Sequence, residues 1–588
     1  MIVAMKKIYM IVQKKDVPLE LESLRELGAV HIEPQESLKS LKIDEIRNEV
    51  KILTKVISAL ESASKTPTRK ELLDWQEKAE HIVDLLDEAE KIKESLAQRQ
   101  AIIHQWEPWE NFDPKDLKNL EEKGFHSCLC LIPQKEKYEP PEEAILEIIS
   151  TQGGFHRAIL ISPEKIEVPF AKISLPKMSL DQMRDLQDKE TERLKEIQKE
   201  IEKHSSYLTF FQKVLLERQE ILFFEEAAEG MKEDQEIASL KGYCPKDCCE
   251  QIRQRAEKQH WGLLIEDPSP EDRVPTLLRN PRWVETIKPV FKMIDILPGY
   301  SEMDISFFFL LFFSIFFGIL IGDAGYGLVF CMMTVFAQKK FGDKIPEKGV
   351  FPLMYVLSFC TILWGVLTGT YFGQEWVTPY VKPLIPWLRD NNNVQTLCFF
   401  IGATHLTIAH LWRAILKMPS LKFVGEVGWI LILWVMFFAA RTFVLGADFP
   451  QVGVGLLIGG ITLILFFTNP NKNPLRAIGA GLGDLALNFV NTFADTVSYI
   501  RLFAVGLATV AIADAFNEMA LGIGFNQIHT GILSALILVV GHVFNIILGA
   551  MSILVHGLRL NVLEFSGHLN MEWAGFKYNP FRKIEKLQ

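Results

Sequence analysis

Apolar residues recur along this chain with three different rhythms, and each predicts a different kind of structure. Met5–Gln13 alternates and then gives way to an amphipathic stretch, Pro18–Leu27, which Gly28 ends; Ala29–Ile32 reads as a second strand. Alternation marks a half-buried strand and a 3.6-residue repeat marks a helix, so this opening predicts a small β-α-β unit. Further strands are expected at His126–Ile132, Arg157–Ile161 and Gly262–Ile265. Between them lie heptad-like series. Ile46, Val50, Leu53, Ile57 and Leu60 form one, and Leu72, Trp75, Ala79, Ile82, Leu86 and Ala89 a second. Leu194, Ile197, Ile201, Leu208, Phe211 and Leu215 form a third, with His204 at an intervening position. Spacings of three and four put apolar side chains on one stripe with charge on the other faces, so each series must pack on another helix. The pieces before and after 105–175 pair antiparallel in this reading. It gives a cytoplasmic region 1–300 with α/β lobes at 1–38 and 235–270, a coiled coil at 39–104 and 178–232, and a distal lobe at 105–177.

From about residue 307 the rhythm changes to long apolar runs, at about 307–337, 350–373, 394–415, 427–446, 452–468, 479–520 and 531–563. A spanning helix takes ~20 apolar residues, so 301–588 is expected to be a transmembrane domain. The first run is interrupted by Gly322-Asp323-Ala324-Gly325, which allows one helix or two hinged there. Loop charge arbitrates, because Lys and Arg collect on the cytoplasmic side. Lys339, Lys340, Lys344 and Lys348 stay inside, with a cytoplasmic N-terminal half, only if this run crosses twice. Arg413, Lys417 and Lys422 then fall inside, as do Lys472 and Arg476 and the tail with Lys577, Arg582, Lys583 and Lys586. The external loops near 447–451 and 521–530 carry no Lys or Arg, and the loop at 374–393, with Lys382 and Arg389, is the exception. The expected fold is mainly α: lobes on a long antiparallel coiled coil, then an eight-helix transmembrane bundle with both termini inside. The run at 479–520 would be ~60 Å long as one helix, about twice the hydrocarbon thickness. It either bends into two or lies steeply tilted, and with the overlong run at 531–563 it forms a specialised, tilted pair.

Composition sharpens the division. The first 298 residues are rich in Lys, Glu and Gln, so the net charge of −10 over 588 residues describes neither half. That length exceeds a single core. The first ten residues lack the apolar core and cleavage site of a secretory signal, which favours a cytoplasmic N-terminal half. The eight cysteines fit that compartment as free thiols. Cys244, Cys248 and Cys249 have no second Cys or His pair at finger-like spacing. The N-terminal half carries no phosphate loop, metal-ligand cluster or nucleophile motif, so no metal, cofactor or nucleic acid is expected. It reads as a mechanical strut with partner-binding lobes, or more plainly as an ordinary helical domain.

The chemistry lies on the two overlong helices. On the first, Asp484, Asn488, Asn491, Asp495, Ser498 and Arg501 follow at spacings of four, three, four, three and three. On the second, His542, Asn545, Gly549, Ser552, His556 and Arg559 follow at three, four, three, four and three. At ~100° per residue each set stays within about 140° of arc. An ionisable group at mid-membrane costs on the order of 3 kcal/mol unless it faces a cavity or partner. Arg501 does not give up its proton, which suits it to a fixed positive barrier or a transient carboxylate partner rather than a carrier. The flanking polar groups can line an aqueous path or glue helices together. Glu564, just past Arg559, can pair with it, and His405, His410 and Glu426 near other helix ends suit a path or packing equally.

Several segments resemble one family. Asp495-Thr-Val-Ser-Tyr-Ile-Arg-Leu-Phe-Ala504 is similar to the signature of the a subunit of V-type and A-type rotary ATPases, called subunit I in bacterial V-type enzymes. Gly541-His-Val-Phe-Asn545 and His556-Gly-Leu-Arg-Leu-Asn-Val-Leu-Glu-Phe565 resemble its last helix. Gly318–Gly327 and Gly365–Gly373 resemble its first membrane helices, and Pro298-Gly-Tyr-Ser-Glu-Met-Asp304 its entry into the membrane. The resemblance implies a non-catalytic stator subunit in a prokaryotic plasma membrane, with Arg501 and Arg559 facing a rotating ring of c-type (K-type) proteolipids. It implies transport of H+ or Na+, lobes that bind peripheral-stalk E and G subunits and the C/d-type central-stalk subunit, and nucleotide-binding A and B subunits in the same complex. Asp495 stands where some relatives have histidine, and Asn488 and Gly549 near path-lining glutamates of others. A secondary transporter would instead show inverted repeats and broken midplane helices. A purely structural anchor explains the rod but not two arginines on polar stripes.

Overall fold

The architecture is that of a computed structural model, which describes all residues except 35–39, 64–73, 137, 139, 142, 166–168, 174, 177, 343–344, 346, 348, 375–381, 469–473, 525–526 and 584–588. The side chains at 172, 474–477, 480, 481 and 484 are likewise not described. Leu72, Lys344, Lys348, Lys472, Arg476, Asp484 and Lys586 therefore lie outside the described residues or side chains. The chain divides into two units, one built mainly from 8–242 and one mainly from 265–579.

In the first unit, strand β1 (Met5–Gln13) leads into helix α1 (Val17–Leu27), then β2 (His31–Glu33). Pro18 opens α1, and Gly28, at φ +60°, closes it by donating its N–H to Leu24 O. Long helices follow at α2 (Leu41–Ala63) and α3 (Trp75–Trp106). A distal lobe holds α4 (Pro114–Glu122) and an antiparallel sheet of β3 (His126–Pro133), β4 (Ile145–Gln152), β5 (Phe155–Ser162) and β6 (Ala171–Ile173), in the order β4-β5-β3-β6. The chain returns through α5 (Leu180–His204) and α6 (Leu208–Glu229).

Ion pairs, with one amide–carboxylate hydrogen bond, fix the direction of these helices. Lys42 meets Glu225, Arg47 meets Glu226 and Gln212 meets Glu61, so α2 and α6 run antiparallel. Arg184–Glu107, Arg99–Glu190, Arg193–Glu88 and His81–Glu200 do the same for α3 and α5. Exposed pairs of this kind set register more than stability. Stability comes from the buried seam of Leu53, Val56, Leu60, Ala79, Ile82, Ile197 and Phe211.

The last strands are β7 (Lys232–Asp234), β8 (Ile237–Pro245) and, after α7 (Cys249–Gln259), β9 (Gly262–Glu266). They complete a sheet of order β2-β8-β1-β9, with β7 on β8. The opening β-α-β unit is therefore split, because β8 lies between its two strands. None of the eight cysteines is in a disulfide, and burial pushes the Cys244 and Cys248 thiols up, away from reactive thiolates.

The second unit begins at α8 (Lys288–Met293) and continues with α9 (Ser306–Ile321) and α10 (Ala324–Phe341). These two apolar helices are bent by 119° at Gly322-Asp323, which decides for two hinged segments over one. Next come α11 (Val350–Thr368), α12 (Asn391–Lys417), α13 (Lys422–Leu445) and the 17-residue α14 (Gln451–Phe467). Helices α15 (Pro474–Ser498) and α16 (Ile500–Ile523) make up the first overlong run, interrupted at Tyr499 within one 39-residue apolar stretch. The second is α17 (Ile528–Ser552), prolonged by π turns at Ile553–Gly557 and Leu560–Phe565 and by α18 (Ser566–His568).

Among the described residues, five helices are long and apolar enough to cross a membrane: Val350–Thr368, Asn391–Lys417, Lys422–Leu445, Leu485–Ile523 and Ile528–His568. The bent pair raises this to six if it is one span. Helix α9 is the central post, with 12 of its 16 residues buried against α11, α16 and the π turns. The last stretch is its opposite: only 17% of its most apolar window is buried within the chain, so lipid or another protein must cover the rest. The segment Pro298–Asp304 ties the tail down, since Glu302 accepts from the backbone N–H groups of Gly299, Glu572 and Trp573.

Candidate functional site

Tyr499 interrupts the first overlong helix and is fully buried. Its ring lies against Gly402, and its hydroxyl meets His405 Nδ1 at 2.9 Å. His405 is itself stacked between Phe312 and Phe565, with ring centroids 3.8 and 4.1 Å away. The structure thus places His405 in aromatic packing rather than against either cavity described below.

Two residues beyond Tyr499, the Arg501 guanidinium turns across to the last helix. Its Nε donates to Ser498 O at 3.0 Å and its Nη2 to Glu564 Oε1 at 2.6 Å. Arg559 Nε approaches the same carboxylate oxygen at 3.5 Å. Side-chain exposure falls from 54% at Arg559 through 22% at Arg501 to 4% at Glu564, so the shared anion is the most buried of the three. The winding of the last helix makes this possible. Arg559 and Glu564 are five residues apart, and a π turn closes on i+5, bringing such residues onto one face. Glu564 Oε2 is buried without a hydrogen-bond partner, leaving half of the carboxylate uncommitted.

Two cavities lie along the helices on either side of Arg501 in the chain. One, of about 430 Å³, is lined by Thr368, Thr370, Gln374, Asn391, Leu502 and Asp514, among others. The other, of about 320 Å³, is lined by Asn488, Asn491, Asp495, Lys422, Glu426 and His568, among others. Helix α12 borders both, through Val394 in the first and His410 in the second. Those residues are separated by ~24 Å of helix at ~1.5 Å per residue, so the cavities sit towards opposite ends of α12. Asp495 borders one cavity and Leu502 the other, and Arg501 falls between them in the chain without lining either.

The polar stripes divide on this geometry. Asn488, Asn491 and Asp495 line a cavity, whereas the Ser498 hydroxyl is spent on Asp495 O at 2.7 Å. The stripe on α17 turns towards α10 and α16. Asn545 is buried and donates to Tyr326 Oη at 2.9 Å and to Thr509 O at 2.8 Å, and His542 Nδ1 meets the same Tyr326 hydroxyl at 2.7 Å. Ser552 and His556 are half-buried, and neither borders these two cavities. Glu426 is engaged by His410 Nδ1 at 2.7 Å, by Arg413 Nη2 at 3.1 Å and by Lys417.

Sequence reasoning missed two groupings. His410, Arg413 and Lys417 recur at three and four on one face of α12, a signal absorbed by reading the basic residues as loop charge. His568, 158 residues from His410, carries no periodic signal at all. Similarly, no metal ligands were expected, yet His81, Glu200 and His204 bring ligand atoms within 4.8 Å of one another between α3 and α5. The third member comes from another helix, which spacing alone does not reveal.

Asp323 is a buried carboxylate with a structural task. Its Oδ1 caps α10 by accepting from Gly325 N at 2.7 Å and Tyr326 N at 3.2 Å, and its Oδ2 accepts from Gly373 N at 2.9 Å. Asp323→Ala leaves these donors without that acceptor, at about 1–3 kcal/mol for a buried unsatisfied group. The expected result is a lower thermal midpoint in detergent, with Arg501 chemistry intact in whatever remains folded. An unchanged midpoint would show the cap to be dispensable.

Apolar helices long enough to span, wrapped round a post and carrying two guanidiniums on one buried carboxylate, define a multi-pass membrane protein with a charged centre. No family model matches the chain. Curated relatives do. The V-type ATP synthase subunit I 1 of Treponema pallidum (strain Nichols) is 30% identical over 630 residues, covering 99% of this chain and 100% of that protein. The V-type ATP synthase subunit I of Borreliella burgdorferi is 30% identical over 618 residues, covering 100% of both. The A-type ATP synthase subunit I of Methanocaldococcus jannaschii is 30% identical over 358 residues, 54% of this chain and 50% of that one. The chain belongs to the subunit I family of V-type and A-type ATP synthases.

Proposed function

We propose that this chain is the stator subunit of a rotary V/A-type ATPase, supplying two ion half-channels and an arginine barrier against a rotating proteolipid ring. The observation that carries the reading is the position of Arg501 along the chain, between Asp495 on one cavity and Leu502 on the other, with the two cavities towards opposite ends of α12. An ion enters one cavity, neutralises a carboxylate on the ring, travels with the ring and leaves by the other. The guanidinium blocks the short cut, because it holds its proton and repels a passing cation. Arg559 stands beside it through Glu564. The sparsely buried last helix supplies the surface on which a ring of c/K-type subunits would run.

In the same reading the bent pair crosses twice, the short α14 once, and eight crossings leave both termini in the cytoplasm of a prokaryotic cell. The rod and its lobes hold the E and G peripheral stalks and the C/d-type subunit, while A and B subunits of the complex hydrolyse or make ATP. Purifying the tagged chain is expected to bring down a small proteolipid ring and nucleotide-binding subunits. Isolation as a lone carrier would overturn the proposal.

Glu564 is the shared counter-ion that holds Arg501 in place, and its uncommitted oxygen lets it yield the guanidinium to a ring carboxylate. Glu564→Gln keeps the shape and removes the charge. Charge-assisted hydrogen bonds contribute about 1.5–3 kcal/mol, so ATP-driven transport is expected to fall roughly ten- to hundredfold in an assembled complex. Wild-type rates in that variant would show that Glu564 only packs.

A further inference from the structure

We infer that His81, Glu200 and His204 form a zinc site that ties α3 to the end of α5. The site lies in the unit built mainly from 8–242 and stands independently of the half-channel reading. Glu200 and His204 are at i and i+4, so their side chains share a face of α5. His81 reaches that face from α3. Its Nε2 lies 3.1 Å from Glu200 Oε1, and its ring stands edge-on to that of His204 with centroids 5.9 Å apart. The ligand atoms of all three lie within 4.8 Å of one another. A metal ~2.1 Å from each of two tetrahedral ligands sets them ~3.4 Å apart, so His81 and Glu200 already have that spacing and the wider separations close by ~1.4 Å at most. Side chains at the surface can make that adjustment by rotation.

The packing beneath fixes the backbone. Ile82 and Ile201, the chain neighbours of His81 and Glu200, are buried in the apolar seam. The register that pairs Arg193 with Glu88 also sets His81 opposite Glu200, one heptad further along each helix. Arg193–Glu88, Arg99–Glu190 and Arg184–Glu107 join the helices through arginine. At Glu200 the partner is instead an imidazole, which offers a metal a lone pair where a guanidinium has none.

The donor set selects the ion. Two imidazoles and a carboxylate suit a borderline divalent metal such as zinc, whereas calcium and magnesium take shells of oxygen and copper(I) wants sulfur. Lys78 and Lys203 stand near His204, so net charge draws no cation here and binding must come from the donor atoms. His81 is exposed and the other two are half-buried, which leaves the fourth position of a tetrahedral ion to water. The bound ion would hold α3 against the junction of α5 and α6, where Ser205–Tyr207 winds as a 3-10 turn. A plain His81–Glu200 hydrogen bond would use the same contact, so the test must count metal.

The experiment uses the full chain without an affinity tag, purified in detergent, stripped with a chelator, dialysed and titrated with zinc chloride in a calorimeter. Wild type is expected to bind a single zinc ion. His104→Ala, which removes an exposed histidine elsewhere on α3, is expected to bind it equally well. His81→Ala and His204→Ala are each expected to weaken binding roughly tenfold or more, since losing even an outer-sphere partner costs about 10–100-fold. Zinc is expected to raise the unfolding midpoint of wild type and to leave both variants unmoved, as a ligand held by the folded state alone requires. Equal midpoints without zinc show that both variants fold; if one falls, His81→Gln, which keeps the bulk, takes its place. Cobalt(II) in place of zinc is expected to give the visible bands of a nitrogen and oxygen site. No zinc on wild type, or zinc bound as tightly after both substitutions, overturns the site. Thiolate charge-transfer bands would put the metal on Cys244 and its neighbours and overturn it equally.

Discussion

Arg501→Lys is expected to abolish ATP-driven ion transport while the complex assembles to its usual yield. Lysine keeps the positive charge and loses the planar fork. Arg501 uses that fork in two directions at once, towards Ser498 O through Nε and towards Glu564 through Nη2. A single ammonium on a flexible stem reaches one of them. It also gives up its proton far more readily than a guanidinium when removed from water, so the barrier becomes a carrier. Losing one charge-assisted contact of about 1.5–3 kcal/mol corresponds to roughly ten- to hundredfold, and the proton leak removes what coupling remains. The measurement is ATP-driven uptake into vesicles, normalised to assembled complex on a native gel. Transport at the wild-type rate would end the barrier assignment. Arg501→Ala is the poorer test. It leaves Glu564 buried with only Arg559, at 3.5 Å, and breaking a buried pair costs about 3–5 kcal/mol, so assembly falls along with transport.

How much of this was written in the sequence depends on the range of the interaction. Apolar rhythm is local, and it marked the rod helices, the membrane runs and the strands β1, β3, β5 and β9 to within a few residues. The Gly322-Asp323 hinge was legible as an interruption, and the structure chose between the two options it left. Strand β8 was not expected because Ile237–Pro245 mixes Ala, Ser, Lys and Gly into its apolar positions. That one omission hid the sheet order. The arginines stood out because charge is rare in apolar runs. Their common partner did not, since Arg501 and Glu564 are 63 residues apart and meet only through a π winding that no periodicity announces. The polar stripe on α17 left two readings open, an aqueous path or a bond between helices, for the opposite reason. Spacing places His542 and Asn545 on one face, but whether that face meets water or the Tyr326 hydroxyl is decided by the packing of α10.

That packing can be tested at its tightest point, where Gly365→Ala is expected to leave no assembled complex. A methyl group on Gly365 would meet Ala324 N at 2.0 Å and Ala324 Cα at 2.6 Å, both backbone atoms that cannot step aside. Helix α11 crosses the start of α10 there. Gly365 O accepts from Gly369 N at 2.8 Å and Thr370 N at 2.9 Å, and Ala324 N donates to Thr370 O at 3.0 Å. Driving the helices apart breaks the Ala324–Thr370 bond and pulls Asp323 from Gly373. Overpacking costs about 1–3 kcal/mol, and each stranded buried group about as much again. The sum approaches the 5–15 kcal/mol that holds a typical protein folded. The consequence reaches the charged centre, because the hinge sets where Ile319–Ile321 meet α16 at Gly506 and Thr509, a turn or two past Arg501. Gly455→Ala is the matched control. No atom lies within 4 Å of its added methyl, and alanine favours a helix by about 0.5–1 kcal/mol over glycine, so assembly should hold or rise slightly. The readout is the amount of chain that co-purifies with the complex from membranes. Equal yields from the two variants would mean that α10 and α11 can separate without cost, and that the hinge does not position Arg501.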